Sequence, residues 1–247
     1  MNKVKTLIVV WQDEDSRLYY HIGTLSHYND HYEFEYTSTK LGNRKLGDAI
    51  EHGYMIHPAF PYTNKIYYSK TLFPAFDRRI PSSDRDDYYA ILADLGLNEN
   101  ASKMDILQAT RGRLASDTYS FEQPLRLEED GKIHSSFFIH GMRHQNLPIE
   151  WSSWIKEYSQ LKLVQEPTNI YDSYAVAIYT ENEKKLGYIP NFYSQAIFSL
   201  IENGALPLVY VTYLNEKSHP HWWVKVKFEC TVSLEQEIQL KELISLR

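Results

Sequence analysis

The period of the apolar positions changes several times along the chain, and each change marks an element. Leu7, Ile8, Val9, Val10 and Trp11 form an apolar run of strand length, and the polar stretch 13–17 turns the chain into a second strand over 21–25. At 32–36, Tyr32, Phe34 and Tyr36 alternate with Glu33 and Glu35, the period-two signature of a strand with one face in water. Residues 28–31 suit the hairpin turn before it, so the chain is predicted to open as three short antiparallel strands. Pro58 and Pro61 exclude a helix interior at 57–61, and the apolar triplet 66–68 is too short to assign. Helical spacing follows. Ser83 is predicted to cap a helix over 84–95, with Tyr88, Ile91, Leu92 and Leu95 on its buried face and Gly96 closing it. A second helix over 103–110 places Met104, Ile106 and Leu107 on one side. Pro124, an acidic run and Gly131 make 122–132 a predicted connector.

The second half has a denser rhythm of short strands, predicted at 136–140, 161–164, 175–179, 186–189, 208–214 and 222–230. In the last of these, Trp222 and Trp223 are expected to face opposite ways. Residues 149–158, with Trp151, Trp154 and Ile155, form a short helix or turn. Pro190 opens a helix through Ile197, Leu200 and Ile201 that Gly204 stops. Ser233 and Gln236 resemble a capping box for a last helix carrying Leu234, Ile238 and Leu243. The expectation is an α+β chain in three parts. A small α+β domain covers 1–125, a six-stranded, closed or half-closed β-barrel of OB type covers 133–232, and a C-terminal helix covers 233–247. Small barrels of this kind present stacking rings to single-stranded nucleic acid.

A chain of 247 residues with 43% hydrophobic content buries one large core or two small ones. No run approaches the roughly 18 apolar residues of a membrane helix, and Met1 to Lys5 leads into a strand rather than a secretory signal, so a soluble cytoplasmic protein is expected. The lone Cys230 excludes an internal disulfide framework and fits a reducing compartment. A net charge of -6 argues against coating duplex DNA, which calls for a basic field. Residues 133–232 hold eight lysines and arginines against nine carboxylates, however, so that half is near neutral and suits a site for one or two nucleotides. Twenty tyrosines supply rings for contact surfaces or for barrel cores with hydroxyls at the rim.

The candidate chemistry gathers on one stretch. Tyr171 and Asp172 lie in a polar loop ahead of the apolar strand 175–179, offering a ring face and a carboxylate that accepts a hydroxyl proton. Equally, the Asp caps a turn by accepting backbone N–H groups. Arg143 pairs either with a phosphate or with a carboxylate of the barrel. His27 and His31 flank a hairpin, and His219 and His221 sit in a loop; neither pair has the further ligands a metal needs, and no cofactor is expected. Leu72, Phe73, Phe76 and Ile80 form an apolar cluster that serves either as core or as a partner surface.

Two resemblances sharpen this. The wording E-P-x-N-x-Y-D-x-x-A-V-A from Glu166 to Ala177, then L-G-Y-I-P from Leu186 to Pro190, resembles the HIRAN domain. This is a small β-barrel module that stands alone in bacteria and is fused to DNA-repair helicases in eukaryotes. Further matches lie at Phe137 to Arg143 and in the helix over 191–204. The resemblance implies that Arg143, His144, Tyr171 and Asp172 hold the 3′ end of a single DNA strand, the rings stacking on bases and the Asp accepting from the terminal hydroxyl. His144 stands where the family has tyrosine, Tyr188 where a polar or basic residue contacts the backbone, and Asn191 where the family has a basic residue. The first half resembles the N-terminal subdomain of HipA-type toxin kinases. Phe76 to Pro81 stand for that family's Phe-rich L-L-P phrase, and Asp105, Ile106 and Leu107 for its F-D-L-L helix. No Gly-rich phosphate loop, H-R-D or D-F-G motif follows.

That resemblance implies a detached regulatory cap with Phe73, Phe76 and Ile80 as the surface for a separate HipA-like kinase polypeptide. The leading expectation is therefore a non-catalytic, antitoxin-like regulator that binds such a kinase and, through the HIRAN part, single-stranded DNA 3′ ends. A stand-alone DNA-end binder of repair or phage defence is the alternative. A small hydrolase acting on nucleic acid ranks third, because no Walker loop, GxSxG elbow, HExxH helix or Rossmann fingerprint appears.

Overall fold

The computed structural model describes residues 4–42, 44–128 and 130–233. The chain divides into two compact units, Met1–Gln123 and Pro124–Arg247. The predicted C-terminal helix, with Leu234, Ile238 and Leu243, lies outside the described residues.

The first unit is a five-stranded antiparallel sheet in the order β4-β3-β2-β1-β5, built from β1 (Lys5–Gln12), β2 (Tyr19–His27), β3 (Tyr32–Tyr36), β4 (Ile66–Ser69) and β5 (Tyr119–Glu122). The predicted hairpin joins β2 to β3, closed by the Tyr28 N–H donating to the His31 carbonyl. The triplet at 66 becomes the edge strand β4, and β5, at the start of the expected connector, pairs with β1. α1 (Leu46–Glu51), α2 (Pro74–Asp77) and α4 (Lys103–Thr110) share one core with the sheet, and α3 (Tyr88–Asp94) precedes α4 in the chain. Ser83 does not cap α3. Residues 84–87 turn instead, and the helix begins only at Tyr88 with Leu92 as its sole buried residue, since three aspartates in a row of four favour turns over helix. α4 forms as expected, with a capping box between Ser102 and Asp105. Two buried ion pairs tie the segment after α4 to the core: Arg79 forks onto Asp117 and donates to the Gly112 carbonyl, and Arg111 Nε donates to Glu122 at 2.6 Å.

Phe73 and Phe76 are buried at 8% and 3% exposure, edge-on to Phe60 and Phe34 respectively, while Ile80 packs partly buried against the same cluster. Phe73 and Phe76 thus stand in the core rather than on an exposed surface. The loop that carries them folds its rings inward because each removes a large apolar area from water.

The second unit is a seven-stranded antiparallel sheet in the order β10-β9-β8-β11-β12-β7-β6. Its strands are β6 (Arg126–Leu127), β7 (Lys132–Phe138), β8 (Gln160–Gln165), β9 (Val176–Thr180), β10 (Lys185–Tyr188), β11 (Leu208–Leu214) and β12 (Val224–Thr231), with α5 (Asn191–Glu202) after β10. β6 lies inside the expected connector and adds a seventh strand. Among the described residues the sheet is not a closed barrel: where closure would need a ladder, one bridge joins His140, beyond β7, to Tyr188 at the end of β10. The predicted alternation of Trp222 and Trp223 fails for a local reason. Residues Pro220–Trp222 wind into a 3-10 turn ahead of β12, so Trp222 meets Phe138 and Trp223 meets Trp151 while donating to the Ser218 carbonyl.

Candidate nucleic-acid interface

The site is built on that bridge. The His140 N–H donates to the Tyr188 carbonyl at 2.9 Å, and the His140 carbonyl accepts from the Tyr188 N–H at 2.8 Å. Two glycines allow the approach. A Cβ on Gly187 would lie 2.4 Å from the His140 carbonyl oxygen, and one on Gly141 would lie 3.3 Å from the Tyr188 ring. Gly141 also takes the left-handed conformation, φ 71°, that starts the 3-10 turn Met142–His144. Met142 anchors this turn in the core, leaving Arg143 and His144 exposed, with Arg143 Nε donating to His144 Nε2 at 2.9 Å. Among the described residues no carboxylate pairs with Arg143.

The loop before β9 is arranged by Asn169. Its side-chain oxygen accepts from the N–H groups of Tyr171 (3.0 Å) and Asp172 (3.3 Å), the local bond by which Asn mimics a backbone turn. Its amide donates to Glu166 (3.1 Å) and to the Tyr188 hydroxyl (3.2 Å). Tyr171 is left 77% exposed. Asp172 is half-buried and ordered: one oxygen accepts from the Tyr174 N–H at 2.8 Å, the other from Asn191 and from Ser194 Oγ at 2.9 Å. Asp172 therefore joins the loop to the first turn of α5. It caps a turn, and it presents an oriented carboxylate beside an exposed ring.

Beneath the loop, Tyr188 donates to Glu166 at 3.0 Å, and Lys185 reaches Glu166 at 2.6 Å and the Tyr188 hydroxyl at 2.7 Å. Burial by itself would raise the Glu166 carboxyl, but hydrogen bonds from Lys185, Asn169 and Tyr188 outweigh it and hold the group below the usual carboxylate range. Burial likewise disfavours the Lys185 ammonium, and its bonds to Glu166 and Tyr188 raise it nonetheless. The structure thus links Tyr188 to Tyr171 and Asp172 through Asn169, joins Asp172 to Asn191 through its carboxylate, and sets Arg143 and His144 three and four residues past the bridge to Tyr188. Asn169, Lys185, Glu166 and Ser194 complete the network. Of these only Asn169 carried a legible signal, a polar side chain two residues ahead of an exposed turn residue.

Among the described residues no group of three or more His, Cys, Asp and Glu is placed to hold a metal ion. Among the described residues no helix is long and apolar enough to cross a membrane.

Comparison with known proteins places a HIRAN domain at residues 133–235. Matching solved structures include a protein from Lactobacillus plantarum, at 21% identity over 40% of this chain and 97% of that one, with a TM-score of 0.36. They also include the HIRAN domain of human HLTF, as a crystal structure (14% identity, 47% and 92% of the two chains, TM-score 0.35) and as an NMR structure (16%, 47% and 94%, 0.32). No curated protein matches the chain. The match at residues 133–235 supports the HIRAN resemblance, and the HipA-type resemblance of the first half gains no support.

Proposed function

We propose that the HIRAN unit is a binding module for the free 3′ end of single-stranded DNA, without bond cleavage. The observation that carries this is the pairing of an exposed ring, Tyr171, with the fixed carboxylate of Asp172 on one loop. Every base has a face to stack on Tyr171, and an ionised carboxylate with about four acceptor positions takes a terminal hydroxyl by adding to its donors or replacing one. Arg143 supplies the phosphate contact, and His144 a second ring where the resemblance implies tyrosine. With a single arginine and a near-neutral surface, the module would read an end rather than coat a strand. The kinase partner inferred from the HipA-type wording loses its surface, since Phe73 and Phe76 are core, and the proposal is confined to the second unit.

The test is fluorescence anisotropy with short oligonucleotides ending in a 3′-hydroxyl or a 3′-phosphate. The hydroxyl end should bind more tightly, Asp172→Ala should abolish the difference, and Tyr171→Ala should weaken binding about tenfold, the worth of one stacked base. Equal affinity of the unmodified protein for both ends would remove the proposal.

A further inference from the structure

Outside the end site, the outer face of the second sheet carries aromatic rings interleaved with lysines. The register across three neighbouring strands sets Tyr213 on β11 opposite Lys225 on β12, and Lys225 opposite Phe138 on β7. The next row sets Tyr210 opposite Lys227. Simple alternation along β11 would turn Tyr213 inward, since Tyr210 faces out and Val209 and Val211 are fully buried. A bulge between Val211 and Tyr213 inserts Thr212 as an extra residue and aims Tyr213 outward, where it is 41% exposed. Trp222 meets the Phe138 ring edge-on at 4.9 Å and steadies it. The Lys225 ammonium lies 5.8 Å from the Phe138 centroid, and no carboxylate of the described residues pairs with it. Burial without a counter-charge holds it below the usual lysine range.

We infer that this row is a second contact surface for single-stranded nucleic acid, with Phe138 and Tyr213 stacking on bases and Lys225 on the backbone phosphate between them. The inference rests on the end-binding reading for its ligand, and two further observations favour that ligand. A lone cation between two rings matches the alternation of phosphate and base along a strand. The surface is also continuous with the end site, because Phe138 lies two residues before His140, whose ring meets that of His221 at 6.4 Å beside Trp222. A strand held by its last nucleotide at Tyr171 and Asp172 then runs outward over β7, β12 and β11.

The experiment measures affinity against length, using 3′-hydroxyl oligothymidylates of about two and about twelve nucleotides, a span set by the usual site sizes of such platforms. The full chain should bind the long strand at least tenfold more tightly. Phe138→Ala, Tyr213→Ala and Lys225→Gln should remove that advantage and leave the dinucleotide unaffected, whereas Asp172→Ala should weaken both. Tyr213→Phe should restore the length effect, and a thermal melt identifies any variant that has lost its fold. End preference without length dependence would overturn the platform while sparing the end site. Length dependence that needs Phe138 and Lys225 but ignores the 3′ group would keep the platform and overturn the end reading. Equal weakening of both lengths by the sheet variants, or no binding of either length, would overturn the platform.

Discussion

Gly187→Ala is the sharpest test of how the end site is held. Its φ is not in the left-handed region, so alanine suits the backbone and the whole effect is steric. The new Cβ would sit 2.4 Å from the His140 carbonyl oxygen and 2.8 Å from Ile139 Cγ2. Restoring ordinary contact requires β10 and residues 139–142 to separate by about 1 Å, which breaks the two bridge hydrogen bonds of 2.8 and 2.9 Å. Each is worth about 1 kcal/mol, and overpacking a filled site costs about 1–3 kcal/mol more, for a total of about 3–5 kcal/mol. For a unit of this size the melting temperature should fall on the order of 10 °C. Affinity for 3′-hydroxyl ends should fall as well, because Arg143 and His144 shift away from Tyr188 although the added methyl touches no ligand. Gly204→Ala is the control. Gly204 has φ 82° and open space around it, so only the left-handed strain of about 1–2 kcal/mol applies, and end binding should be unchanged. A Gly187→Ala protein that melts with the unmodified one and binds ends equally well would refute the packing argument.

Two further outcomes follow from the same reasoning. Phe76→Ala should cost the first unit about 3–5 kcal/mol in denaturant unfolding, the loss expected of a core ring rather than of an exposed anchor; a change below 1 kcal/mol would return it to the surface. The Glu166–Lys185 pair should give the second unit a pH profile with two shoulders. The lowered Glu166 contributes stability above its ordinary range that is lost as pH falls through its folded value, and the raised Lys185 contributes stability below its ordinary range that is lost as pH rises through its own. Chemical denaturation of Glu166→Gln between about pH 3 and 11 should flatten both shoulders; an unchanged profile would show that the pair does not couple to folding.

What the sequence discloses is what local chemistry controls. The alternation at 32–36, the apolar side of α4 and the opening of α5 behind Pro190 all stand where their own residues put them. The failures share a different cause. β5 and β6 are four and two residues long and exist only because β1 and β7 accept them, so nothing in residues 119–127 announces them. α1 lacks a capping side chain at Lys45 and owes its position to the approach of Gly47 to the Thr39 carbonyl. The outward aim of Tyr213 depends on a bulge set by its pairing with β12, and the inward turn of Phe73 and Phe76 on rings distant in sequence. At the site, Tyr171 and Asp172 could be singled out, whereas Lys185 and Glu166 gain their roles only through the Tyr188 hydroxyl.

The lone backbone pair at His140 and Tyr188 also guards against self-association. β10 is the outermost strand of its sheet, and a bare margin of that kind is a template on which a foreign strand nucleates aggregation. Residues 139–142 occupy that margin from within the molecule, so whatever loosens them uncovers an adhesive rim while it disorganises Arg143 and His144. Solubility and ligand capture in this unit are thus secured by the same clasp, and variants selected for one will drag the other along.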